Sequence, residues 1–303
     1  MRNLKMHGGA IAQTFFLSDW RVGIAAVACL LGFAPQLALC GIFVSISARL
    51  LAPRCGVSST LVDSGLVVLN AWFAGLAVGT FFLPGAGMIA ALLLAAPLTV
   101  AATVALDRLL SPWQLPLLVA AYVPAFALIW LALSTLPWVH LTPTESLPAA
   151  ASLPHLFLLG TLRSIGQIFF FPDARLGTAL LLILLTQHWR LVVLMCAAAL
   201  ASEMTAWALG APLWQVEQGL HGFSSALMAA AVFKGFKGLG WGSLGATIVL
   251  SPLVEMAVLR LGATLGVFGL SASYVAVVWM LLLTSPVQVK GPEMTGWGAL
   301  RVR

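Results

Sequence analysis

Residues 12–23 read AQTFFLSDWRVG, and residues 166–177 read GQIFFFPDARLG. At an offset of 154 six of these twelve positions coincide: Gln13/Gln167, Phe15/Phe169, Phe16/Phe170, Asp19/Asp173, Arg21/Arg175 and Gly23/Gly177. Chance in so biased a composition gives about one match. The same offset works again further on. Gly65-Leu66 meets Gly219-Leu220, Ala77-Val78 meets Ala231-Val232, and Phe82 meets Phe236. The chain therefore divides into two copies of one half, residues 1–150 and 151–303, joined through the polar stretch from His140 to Pro154 that carries Pro143, Glu145 and Pro148.

What surrounds these copies is apolar. Of 303 residues, 61% are hydrophobic and 8% charged, and mean hydropathy is +1.04. A soluble domain carries about a quarter charged residues, so this chain cannot cover a globule with polar surface. Asp63 and Asp107 bracket 43 residues without a formal charge, and Arg21 and Arg49 bracket 27. A spanning helix takes roughly 20 apolar residues, which leaves room for about eight to twelve spans. These observations exclude a soluble enzyme, a disordered chain and a secreted disulfide scaffold. The expected class is an all-α polytopic membrane protein set in a lipid bilayer.

The net charge is +6, from 15 Lys+Arg against 9 Asp+Glu. The basic residues stand singly between apolar runs, which fits positive-inside loops rather than a nucleic-acid surface, and no nucleic acid is expected as a partner. Arg2 and Lys5 precede the first apolar run; Lys290, Arg301 and Arg303 follow the last. Both termini are expected on the cytoplasmic side. An even number of spans follows, and two halves of five each make the second inverted relative to the first. In such folds the site lies near the midplane, between the repeats. Cys29, Cys40, Cys55 and Cys196 show no metal-ligand spacing, and no A-x-A-like cleavage site follows the basic N-terminus.

The glutamine–phenylalanine blocks are unusual for a lipid-facing helix. One account is an interfacial aromatic belt with Asp and Arg at its wet end. The repetition favours another: a short helix aimed at the midplane, its amide and ring facing a polar cavity. Chain breaks at membrane depth are tolerated only inside protein or along such a cavity. The second repeated element is GLVVLNAWFAGLAVG from Gly65 and GLHGFSSALMAAAV from Gly219. Gly75 and Gly79 form a G-x-x-x-G, a close-packing pattern, and Asn70 and Ser224-Ser225 place polar groups in apolar surroundings. These groups serve either interhelical hydrogen bonds or a solute.

Taken together, the GQIFFFPD and GLHGFSSAL blocks resemble the urea transporter (urea channel) family, whose halves carry G-x-G-Q-V-F-F and G-L-x-G-F-N-x-x-L. A third family element, L-T-x-P-F…T-W, is echoed by Tyr122-Val123-Pro124…Trp130 and by Ser271-Ala272-Ser273-Tyr274…Trp279. The resemblance implies a homotrimer with one pore in each protomer, built from inverted five-span repeats plus re-entrant half-helices. It implies pore amides at Gln13 and Gln167, and rings stacking on a flat solute at Phe16, Phe170 and Phe223, with Leu69 as the repeat-mate of Phe223. Phe73 and Leu227 would complete the walls. The family's midpoint threonines would fall on Tyr122 and Ser271, an assignment that takes a length change between the copies, because the constant offset pairs Tyr122 with Ala276. The sequence departs from the family at Leu69 (an aromatic), Ser224 (an asparagine), Tyr122 (a small side chain) and Ser273 (a proline). The implied activity is passive, cofactor-free passage of urea or a close small neutral amide across a bacterial inner membrane.

Glu203 and Glu255 lie in apolar segments, AALASEMTAWAL and SPLVEMAVLRL. An intramembrane carboxylate is a candidate proton or ion site, and the competing reading is an ion- or proton-coupled transporter of another small polar solute that uses them. The structural accounts are that Glu203 and its offset partner Arg49 face each other or polar backbone and serve packing, and that Glu255, with Arg260, flanks a helix end. His188 and Arg190 are expected in a turn between spans. Trp113, Trp138, Trp214 and Trp297 are expected at membrane interfaces. No Ser-His-Asp spacing, H-E-x-x-H, P-loop or strand-borne G-x-G-x-x-G is visible, so enzyme activity is not expected, nor is a bound metal.

Overall fold

The computed structural model describes residues 2–143, 152–237, 240–284 and 288–289. Glu145 and Pro148 of the linker, and Lys290, Trp297, Arg301 and Arg303 at the C-terminal end, lie outside the described residues. The described chain is helical almost throughout, and the protein is an all-α, multi-pass integral membrane protein. It divides into two compact units. Of the described residues, the first holds 2–143, 265–271 and 288–289, and the second holds 152–237, 240–264 and 272–284.

In the first unit, α1 (Arg2–Ala12) runs into a tight turn at Gln13–Phe15 and then α2 (Trp20–Phe33). The two axes meet at 85°. Pro35 opens α3 (Pro35–Leu51) and pushes Ala34 out of helical geometry (φ −143°), because proline crowds the backbone of the residue before it. Short α4 (Ser59–Asp63) leads through Gly65 (φ 81°) into α5 (Leu66–Phe81). Every residue of α5 from Leu66 to Gly79 is buried, as expected of a helix apolar on all sides. Gly75 and Gly79 let it lie against α3: a Cβ at Gly75 would press on the Cys40–Gly41 backbone, and one at Gly79 would sit 2.9 Å from the Leu37 Cα. Then α6 (Ala86–Leu110) and α7 (Tyr122–Leu133) complete the unit.

The second unit repeats the plan. Its α8 (Leu153–Gln167), α9 (Ala174–Ala208), α10 (Leu213–Glu217), α11 (Gly222–Ala230), α12 (Trp241–Leu265) and α13 (Ala272–Thr284) follow in the same order of long and short pieces. His188, 154 positions after Ala34, is the one non-helical residue inside α9 (φ −135°) and stands between the two stretches that match α2 and α3. The turn expected there is a break within one long helical run. α6 and α12 each have 25 residues with an internal proline, Pro97 and Pro252.

The long helices carry exposed apolar stripes. On α3 the exposed large hydrophobic side chains are Leu39, Phe43, Ile46 and Leu50, a three-and-four spacing that puts them on one face. Trp113, Trp138 and Trp214 are also exposed. Four described helices are long and apolar enough to span alone: Pro35–Cys55, Ala86–Trp113, Ala174–Ala208 and Trp241–Leu265. The bent Leu4–Phe15/Trp20–Phe33 pair reaches that length only together, and Leu66–Phe81, Tyr122–Leu133 and Ala272–Thr284 are shorter. A bilayer core asks for about 20 helical residues, so the shorter pieces depend on burial in protein for their ends.

Candidate functional site

The two glutamine–phenylalanine blocks form the same corner. After Gln13 the chain closes a turn, Phe16 N–H donating to Gln13 O (2.9 Å) and Leu17 N–H to Ala12 O (3.2 Å). After Gln167 the same pair recurs, Phe170 N–H to Gln167 O (2.9 Å) and Phe171 N–H to Gly166 O (3.4 Å). Phe16 and Phe170 both carry left-handed backbone, φ 56° and 60°, which costs a non-glycine residue roughly 1–3 kcal/mol. Both corners end on an aspartate that caps the next helix: Asp19 accepts from Arg21 N–H (2.9 Å), and Asp173 from Arg175 N–H (2.7 Å). The guanidinium of Arg175 also bonds Asp173 (2.8 Å), and this, with the two backbone donors, holds the Asp173 carboxyl below the usual range.

The glycines explain why the corner folds so tightly. A Cβ at Gly23 would fall on the carbonyl of Gly8, and one at Gly177 on the carbonyl of Leu162, the equivalent position. Each corner is thus pressed back against its preceding helix with no space for a side chain. Both glutamines are half-buried, and in each the amide Oε1 is inaccessible and has no hydrogen-bond partner among the described residues. Gln13 Nε2 donates to Ser64 O (2.8 Å), tying the corner to the chain just before α5. In the second unit the corresponding tie is an ion pair, Arg163 Nη1 to Glu217 Oε1 (3.1 Å), which links α8 to α10.

Of the remaining expected site residues, Phe16, Leu69, Phe73, Tyr122, Phe170, Phe223, Leu227 and Ser271 are all buried. In the first unit three of them are in contact. The rings of Phe73 and Tyr122 stack at 5.4 Å, and Tyr122 Oη donates to Ser271 Oγ (2.7 Å) while accepting from Ser271 N–H (2.9 Å). Asn70, next to Leu69, is an internal clamp. Its Nδ2 donates to Leu66 O and Leu118 O, and its Oδ1 accepts from Ala121 and Tyr122 N–H at 2.9 and 3.2 Å. Of the two roles open for Asn70 in the sequence, the structure shows the interhelical bond.

The register shifts along the repeat. α6 and α12 match at an offset of 155, through Pro97 and Pro252. Before α7 and α13 the left-handed residues Gln114 and Leu118 match Gly266 and Leu270 at 152. A length change therefore does separate the copies: the mate of Tyr122 is Tyr274, and the mate of Ser271 is Val119. The sequence reading missed Tyr274 as a mate; the shared L-x-A-x-Y-V of residues 118–123 and 270–275 is the signal that finds it.

The carboxylates are integrated into the second unit. Glu203 is fully buried, and its Oε1 accepts from Gly222 N–H (2.7 Å), His221 N–H (3.2 Å) and Ser164 Oγ (3.2 Å). It caps the start of α11, where backbone donors lack intrahelical acceptors and the dipole favours negative charge. Ser164 and Ser202, whose Oγ donates to His221 O (2.7 Å), support the same junction. Glu255 does not flank a helix end, as the sequence suggested. It is buried in the interior of α12, where its Oε2 accepts from Ser273 Oγ and from Ser224 Oγ (3.4 Å).

Comparison with known proteins agrees with this architecture. The chain matches the family described as "Urea transporter" over residues 6–286. It is 26% identical over 244 residues to "Urea transporter 1" of Rattus norvegicus, an alignment that takes in 76% of this chain and 63% of that relative. The duplicated corners and the family match over nearly the whole chain lead to one assignment: this chain belongs to the urea transporter family.

Proposed function

We propose that the protein conducts urea, or a closely similar small neutral amide, passively through a narrow aromatic-walled pore. Gln13, Phe16, Leu69, Phe73, Tyr122 and Ser271 would contribute from the first half, and Gln167, Phe170, Phe223 and Leu227 from the second. The observation that carries this is the pair of duplicated corners, each holding a glutamine Oε1 without a partner among the described residues, beside a left-handed phenylalanine. Urea is flat and uncharged, with one carbonyl acceptor and two amino groups. A bilayer rejects it because stripping its hydrogen bonds without replacement costs several kcal/mol. Amide and hydroxyl oxygens accept its amino hydrogens in turn, and aromatic faces suit the partly positive N–H edges.

The same proposal covers the setting. The two halves, 1–150 and 151–303, are inverted repeats of about five spans each plus re-entrant half-helices. The protein is a homotrimer in a bacterial inner membrane with both termini cytoplasmic, and it works as a channel, without cofactor and without enzymatic chemistry. The internal partners of Glu203 and Glu255 support structural roles for both rather than ion coupling. Stopped-flow light scattering on proteoliposomes under a urea gradient tests the reading. The expected result is a saturable or linear urea flux insensitive to protonophore. A flux that collapses with the proton gradient would transfer the assignment to a coupled transporter, and no flux at all would overturn it.

A further inference from the structure

The two halves solve one structural problem with different chemistry. In the first, a single amide, Asn70, fastens α5 to the first turn of α7 through the N–H groups of Ala121 and Tyr122. Those groups belong to the start of a helix, where the backbone has no acceptor of its own. In the second half the mate of Asn70 is Ser224, whose side chain is too short for the same reach, and the mate of Ala121 is Ser273. Ser224 Oγ and Ser273 Oγ lie 3.1 Å apart, and both bond Glu255 Oε2. All three side chains are buried. At an offset of 155 the first-half mate of Glu255 is Val100, also buried. Three substitutions between the halves, Asn70/Ser224, Val100/Glu255 and Ala121/Ser273, thus converge on one place in the second unit.

We propose that Glu255 is a positioning residue that replaces the missing amide: with Ser224 and Ser273 it fastens α11 to the first turn of α13, and so holds Phe223 and Leu227 in place. Glu255 is a compensation for the shortened side chain at 224, and it is needed only while serine stands there. A carboxylate accepts several hydrogen bonds at once, which is what two hydroxyl donors from separate helices require. An apolar residue at 255 leaves those hydroxyls facing each other with no common acceptor.

The clamp stands on the hydrogen bonds alone; its effect on flux rests on the permeation reading above. Four proteins test it, each purified in detergent and reconstituted: wild type, E255V, E255Q, and S224N/E255V/S273A, which transfers the first-half set. E255V is expected to lower the thermal midpoint and to cut urea flux per folded protein on the order of tenfold, a barrier change of one factor of ten. E255Q retains an acceptor and is expected to lose less. The triple variant is expected to recover both midpoint and flux relative to E255V. A wild-type-like E255V overturns the proposal, and so does a triple variant no better than E255V. If wild-type protein carries no urea, the permeation reading fails, and the order of the thermal midpoints still decides the clamp.

Discussion

Tyr122 Oη gives its proton to Ser271 Oγ at 2.7 Å and takes the backbone N–H of Ser271 at 2.9 Å, so residues 149 positions apart are joined twice at one oxygen. The family resemblance implies a pore-midpoint role for both. The structure adds that each uses the other as its partner, while the Tyr122 ring stacks on Phe73.

Removing that oxygen has a definite expected cost. Y122F keeps the ring and its stacking and deletes both bonds. Polar side-chain bonds in membrane proteins contribute about 0.6 kcal/mol on average and up to about 1.7. Y122F should therefore lower the unfolding free energy by roughly 1–2 kcal/mol. S271A, which loses one bond and spares the other, should cost less, and the double variant should cost less than the sum. Chemical denaturation in mixed micelles measures all three; strict additivity would mean that the two residues are not coupled.

The duplicated corners should fail in the same way. G23A and G177A each drive a methyl into the carbonyl of the helix in front, Gly8 or Leu162. Both should be lost from the folded, detergent-stable fraction, whereas G32A, with nothing within 4 Å of its added carbon, should be neutral or gain about 1 kcal/mol from helix propensity. Fluorescence-detected size-exclusion profiles compare the three. A monodisperse G177A would refute the close approach.

Acid should weaken the second corner through Asp173. Its folded-state pKa lies below the unfolded value because Arg175 and two backbone N–H groups favour the carboxylate. The sign follows from linkage: the contribution is complete above the unfolded pKa, near 4, and disappears as pH falls through the lower folded value. The thermal midpoint of wild type should fall over that range, and D173N should show a shallower acid limb while starting lower at neutral pH. Parallel limbs would exclude Asp173 as a contributor.

Transport should depend on Gln167 more cleanly than on Gln13. Gln13 also ties its corner to Ser64, so its replacement mixes structure with permeation. Q167L removes an amide oxygen that has no partner among the described residues. Losing one acceptor along the path, worth about 0.5–1.5 kcal/mol, should slow urea three- to tenfold at unchanged melting temperature. Stopped-flow rates normalised to reconstituted protein check this, and unchanged rates would exclude Gln167 from the pore.

Much of this was legible in the amino acids. The identities at 13/167, 16/170, 19/173 and 23/177 marked a corner whose backbone turns out equivalent in both copies, and α4 and α10 begin and end 154 residues apart. Beyond α5 the constant offset misleads. The connections into α6 and α7 differ in length between the copies, and loops absorb such changes at little thermodynamic cost. Tyr122 is matched to Tyr274 by the left-handed Leu118 and Leu270 and by the short L-x-A-x-Y-V that the two copies share, which the constant offset hides. Glu255 was misplaced for another reason. A lone carboxylate in an apolar run looks like a helix terminus until its donors are known, and those donors, Ser224 and Ser273, are separated from it by 31 and 18 positions.

The break between α2 and α3 has a local author in Pro35, whereas the equivalent break at His188 is followed by Trp189 and carries no proline. The first bend is written into the covalent chain and would survive in an isolated fragment. The second has no proline to fix it, and residues 174–205 cut free in a micelle are expected to form one straight helix. The two bends are thus expected to differ in durability, the one at His188 straightening first under heat or detergent.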